Sequence, residues 1–85
     1  MNRRDEIVRA IGREIELHFE AHPNAADTAE GILRWWLPQE GVEVSLENVQ
    51  RALDRLLASG HIAERRMSDG RRLYARARKP SADAG

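Results

Sequence analysis

The sequence predicts an α+β fold with three amphipathic helices packed on a small antiparallel sheet, in the order helix, helix, short strand, helix, strand, strand. Three observations carry this prediction. Apolar residues recur every three to four positions in three separate segments. The last of these segments opens and closes on signals that agree with its period. Directly after it, two extended basic runs flank an Asp-Gly pair, which favours the positive-φ turn of a tight hairpin.

The first helix is expected from Arg3 to about Glu20. Ile7, Ile11, Ile15 and Phe19 repeat every four residues, and Val8 and Ala10 widen the face. Asp5, four residues before Arg9, adds modest support, and Gly12 weakens the segment slightly. Pro23 disfavours helical geometry at His22, so His22-Pro23-Asn24 reads as a turn. The second helix is expected from Thr28 to about Leu37, with Asp27 or Thr28 as its cap and Glu30 in the first turn, where its charge suits the helix dipole. Ala29, Ile32, Leu33, Trp36 and Leu37 share one face. Gly31, on the polar side, costs about 1 kcal/mol relative to alanine, which points to close packing there. Pro38 blocks continuation, and the alternation of Val42 and Val44 suggests a brief third strand.

The third helix starts at Ser45, a side-chain N-cap before Leu46, Val49, Leu53, Leu56 and Leu57, and Gly60 supplies the left-handed residue that ends it. HIAERRM and RRLYARAR then form the hairpin around Ser68-Asp69-Gly70. Residues 1–79 are expected to form one domain. Residues 80–85 are small and polar and read as a disordered tail.

At 85 residues there is room for one small core. There is no cysteine, so neither a disulfide framework nor a thiolate metal site is available. The longest apolar run is far below the roughly 20 residues that span a bilayer, and the charged N-terminus has no apolar block behind it. A soluble, cytoplasmic protein without membrane contact is the expectation. Net charge is zero, but its distribution is uneven. Residues 1–40 carry five basic against eight acidic residues, whereas 49–79 carry nine against three. The basic end could focus an anionic partner.

The run SLENVQRALDRLLASGHIAERRMSDGRRLYARA resembles the winged helix-turn-helix superfamily, in the form seen in MarR-like and PadR-like bacterial regulators. Its elements there are a helix with Leu-x-x-Leu, a small residue, Gly, a β-branched residue, a basic strand, a turn with Asp or Gly and Arg, and a second strand. They match Leu53, Leu56, Ser59, Gly60, Ile62, Arg65, Arg66, Asp69, Gly70 and Arg71. The resemblance implies duplex-DNA binding by a transcriptional regulator or accessory domain, with the third helix in the major groove and the hairpin, the wing, on the backbone. Asn48, Gln50 and Arg51 are residue types that read base edges, Ser45 stands at the helix N-terminus, and Arg55 is placed for a phosphate. Arg65, Arg66, Arg71 and Arg72 suit phosphates or a narrow minor groove.

Plainer readings stand beside these. Glu47 and Asp54 share the exposed side of the third helix, which would then be an ordinary solvated face. The wing arginines would protect an edge strand from aggregation. In that case the chain is a protein-interaction module on the same scaffold, with no nucleic acid bound and Trp35 as its anchor if exposed. A lone copy would bind DNA weakly, so a homodimer, a partner protein or clustered sites would be needed for specificity. His18 and His22 stand four apart, as metal ligands on a helix often do, but with Pro23 adjacent and no third histidine nearby no metal is expected. No phosphate-binding loop, nucleophile elbow or metalloprotease helix is present, so neither catalysis nor a cofactor is expected.

Overall fold

The computed structural model describes residues 2–37 and 44–77. Its elements are α1 (Arg3–Ala21), β1 (Ala26–Asp27), α2 (Ala29–Gly31, continuing as a π-helix over Ile32–Trp36), α3 (Leu46–Ala58), β2 (Ile62–Arg66) and β3 (Arg72–Arg76). The fold is α+β, with three helices and a three-stranded antiparallel sheet of order β1-β3-β2.

The third strand differs from expectation. β1 is Ala26–Asp27, before α2, and pairs with Ala75 and Tyr74 of β3. The expected strand around Val44 is not formed, since Val44 is in no strand, and Val42 lies outside the described residues. The observed order is therefore helix, strand, helix, helix, strand, strand. The reason is geometric. After Pro23 the chain is extended and alongside β3, so Ala26 and Asp27 complete the sheet before the helix cap at Thr28.

Each helix is closed by local chemistry. The Asn2 side chain accepts from the Arg4 amide at 2.8 Å to start α1, and the Thr28 hydroxyl accepts from Gly31 N–H at 3.1 Å to start α2. Ser45 Oγ accepts from Asn48 N–H at 3.1 Å to start α3. At the far end of α3, Gly60 has φ +82° and donates to Leu57 O, while His61 N–H donates to Leu56 O. That paired pattern is the Schellman closure, which requires a left-handed residue where glycine stands. In the hairpin, Gly70 has φ +91° and donates to Met67 O, and Met67 N–H donates to Arg71 O at 2.6 Å.

α2 is shorter and wider than a regular helix through Leu37. Leu37 itself is extended (φ −107°, ψ 142°), the backbone favoured before proline. In the π-helical turn each residue advances by less than the about 100° of an α-helix. Trp35, on the border of the apolar stripe in a regular helix, is thereby turned outward and is 74% exposed.

The core is one cluster. Val8, Ile11, Ile15 and Phe19 from α1 meet Val49, Ala52, Leu53 and Leu56 from α3, with Ile32 and Leu37 from the α2 segment and Ile62 and Tyr74 from the sheet. Trp36 packs against this cluster and is half-buried. Its ring stacks on His18 at 3.9 Å between centroids and meets Phe19 edge-on at 4.9 Å, pinning α2 to the C-terminal half of α1. Among the described residues no helix is long and apolar enough to cross a membrane.

Two helical glycines have opposite meanings. A Cβ on Gly31 would collide with the Asp27 carboxylate, whose Oδ1 accepts from Thr28 N–H at 2.8 Å. Gly12 has nothing within 4 Å of that position among the described residues. Gly12→Ala is therefore expected to raise the unfolding free energy by about 0.5–1 kcal/mol in urea titrations. Gly31→Ala should lower it by about 1 kcal/mol or more through overpacking. In an Asp27→Ala background the Gly31→Ala cost should vanish; a persisting cost would assign it to something other than that carboxylate.

Candidate nucleic-acid interface

The nine residues expected at a DNA surface fall into three groups. Ser45 and Asn48 serve the start of α3: the Ser45 hydroxyl is engaged as the cap and Asn48 is half-buried. Gln50, also half-buried, lies toward the sheet, where its amide donates to Tyr74 Oη at 3.1 Å and Asp54 Oδ1 at 3.2 Å. Asn48 and Gln50 are two positions apart on a helix and so point to different sides. The three expected base readers therefore do not form one row.

Arg51 and Arg55 do share an exposed stretch of α3, and each meets a carboxylate. Arg51 Nη2 is 3.2 Å from Glu47 Oε2, which Arg4 of α1 also approaches at 3.8 Å. Arg55 is 3.7 Å from Asp5 of α1. All these side chains are about half exposed. The outward side of α3 thus carries Glu47, Arg51, Asp54 and Arg55, with as many acids as bases.

The hairpin is different. Arg66 and Arg72 are direct cross-strand partners, as are Arg65 and Leu73. Opposed residues project to one face, so Arg66 and Arg72 stand side by side on the face that also carries Tyr74, while Arg65 lies on the other. Arg72 reaches diagonally to Glu64 at 3.5 Å, and Arg71 is held by Asp69 at 2.7 Å. Arg71 donates from both its backbone and its guanidinium to Asp69, and these hydrogen bonds keep the Asp69 carboxyl below its ordinary range. Arg65 and Arg66 form no ion pair among the described residues.

The candidate surface gathers two side chains that the local pattern of α3 did not indicate, Arg4 and Asp5. They lie more than forty positions upstream, and only the packing of α1 on α3 brings them to Glu47 and Arg55.

His18 and His22, at the C-terminal end of α1, have ring centroids 4.8 Å apart. Among the described residues there is no group of three His, Cys, Asp or Glu side chains that could hold a metal ion. Comparison of the chain with protein-family models, with curated proteins and with solved structures found no match.

The His18 imidazole is held below its ordinary value of 6.5, first by burial and second by the neighbouring His22, against a smaller opposing pull from Asp27. The native state thus prefers neutral His18, and the unfolded chain binds the proton more readily. The resulting stabilisation is complete above about pH 6.5 and is lost as pH falls from there through the lowered native value. The thermal midpoint should drop between pH 7.5 and pH 5, and His18→Gln should flatten this part of the profile; an identical slope in the variant would remove the assignment.

Proposed function

We propose that the protein is a winged-helix domain that contacts duplex DNA, as a cytoplasmic regulator or accessory DNA-binding domain, with the wing supplying most of the affinity and α3 the orientation. One observation carries this reading. Arg66 and Arg72 face each other across the last pair of the hairpin, where like charges destabilise a sheet. The diagonal contact from Arg72 to Glu64 offsets part of this cost and leaves Arg66 without a counter-charge among the described residues. Folding gains nothing from that placement, whereas a phosphate between the two strands would relieve it.

The α3 arginines fit the same reading as exchangeable contacts. Half-exposed ion pairs are worth about 0–1 kcal/mol, so DNA phosphates can displace Glu47 from Arg51 and Asp5 from Arg55. Binding on these terms is weak, backbone-led and strongly dependent on salt. The even charge balance of α3 and the exposed Trp35 also favour a protein-contact role for the scaffold.

Fluorescence anisotropy with a mixed-sequence duplex over a salt series tests the DNA reading. The double variant Arg66→Ala, Arg72→Ala should weaken binding to every sequence alike and flatten the log–log salt slope by about 2. An unchanged slope would sink the wing assignment. Glu47→Gln should tighten binding about two- to fivefold by freeing Arg51, since the charge it removes opposes phosphate approach.

A further inference from the structure

We infer that the outer side of α2 is a self-association surface, on which Glu30, Arg34 and Trp35 of one copy meet the same residues of a second copy in antiparallel register. The inference is independent of DNA binding. It starts from Trp35, the most exposed of the large apolar side chains among the described residues, at 74%. The wide π-helical turn from Ile32 to Trp36 puts it there, and such turns concentrate at functional sites. The base beneath it is fixed, because Ile32 is fully buried and Trp36 is stacked on His18 and meets Phe19 edge-on. A large aromatic side chain projecting from an anchored turn is already ordered before it binds, which is the property of an interface anchor.

The charges beside it specify the occupant. Glu30 and Arg34 are both exposed and stand four positions apart, with the acid first, the spacing and order that form a favourable pair along an α-helix. The backbone widens between them, and neither is in an ion pair with the other or with any described residue. Two unpaired charges of opposite sign along one short helix complement their own copy turned end for end. Glu30 then faces Arg34 of the second molecule and Arg34 faces Glu30, as a two-fold axis requires. Trp35 of each copy covers the first turn of α2 in the other. An acidic or a basic foreign partner would satisfy one of these charges and strand the other, so a second copy of this chain fits the surface better.

Sedimentation equilibrium of the full chain, without nucleic acid, from micromolar to millimolar concentration is the test. A monomer–dimer equilibrium is expected, weakened about tenfold or more by Trp35→Ala, whose urea midpoint should stay near that of the parent because the side chain is exposed. Glu30→Arg and Arg34→Glu should each weaken the dimer, and the double variant should restore it, since the swap recreates the pairing. A chain that stays monomeric throughout, a dimer indifferent to Trp35→Ala, or a double variant no better than the singles would overturn the proposal. So would association that appears only when a duplex is added. None of these results depends on whether the wing binds DNA, so the two readings fail separately.

Discussion

Tyr74 is the residue on which the relative placement of sheet and helices depends. It is 2% exposed, at the centre of the middle strand, and like its neighbour Ala75 it is paired on both sides, with Asp27 of β1 and Glu64 of β2. Its ring belongs to the same core cluster as Val49, Leu53 and Ile32, and its hydroxyl accepts from Gln50 on α3. A phenol that is buried at the ring and hydrogen-bonded at its tip sets both the depth of the sheet and its rotation about α3. With Ile62 in the same core and the Gly60 closure joining α3 to β2, that contact fixes the angle between the outer side of α3 and the hairpin. Gln50 is accordingly a structural link as well as a residue type suited to reading bases.

Much of the fold was legible because its signals are local. The period of α1, the Ser45 cap, the Gly60 closure and the Asp69-Gly70 turn all depend on residues within a few positions of each other, and all are where the sequence places them. β1 was missed because two residues, Ala26 and Asp27, carry no alternation, and their strand character comes from lying beside β3. Val44, which looks more like a strand residue, pairs with no strand among the described residues. α2 was misjudged for a related reason: a regular helix was assumed through Leu37, while the residue before Pro38 is held extended and the preceding turn widens. The hairpin arginines could be located from sequence, but not their pairing across the strands. The carboxylates that meet Arg51 and Arg55 were only half legible. Glu47 is one turn from Arg51, whereas Asp5 arrives through tertiary packing.

On α3 and the hairpin, charge is largely balanced at short range. Arg51, Arg55, Arg71 and Arg72 each have a carboxylate within 4 Å, contributed by Glu47, Asp5, Asp69 and Glu64. On α3 and the hairpin the charge that extends into solvent is therefore less than the count of arginines suggests, and in the hairpin Arg65 and Arg66 are without a carboxylate within 4 Å among the described residues. These are surface pairs, and their value lies in orienting guanidinium groups more than in holding the fold together. A chain arranged in this way avoids a strong long-range field while keeping positive groups ready for a partner that can compete for them at contact distance.

The burial along the hairpin has a mechanical consequence. At its root Ile62 and Tyr74 are buried, while from Ala63 to Arg72 the side chains are exposed. The hairpin is thus a cantilever, clamped at one end by the core and held toward the tip by ladder hydrogen bonds, the Gly70 turn and the surface pairs Arg72–Glu64 and Arg71–Asp69. Stiffness must fall along its length, so that amide exchange would quicken from Tyr74 outward and the guanidinium groups of Arg66 and Arg72 would sample a cone of positions about a fixed hinge. Such an arm can follow an irregular surface without disturbing the helices behind it, at the entropic cost of being stilled when it engages.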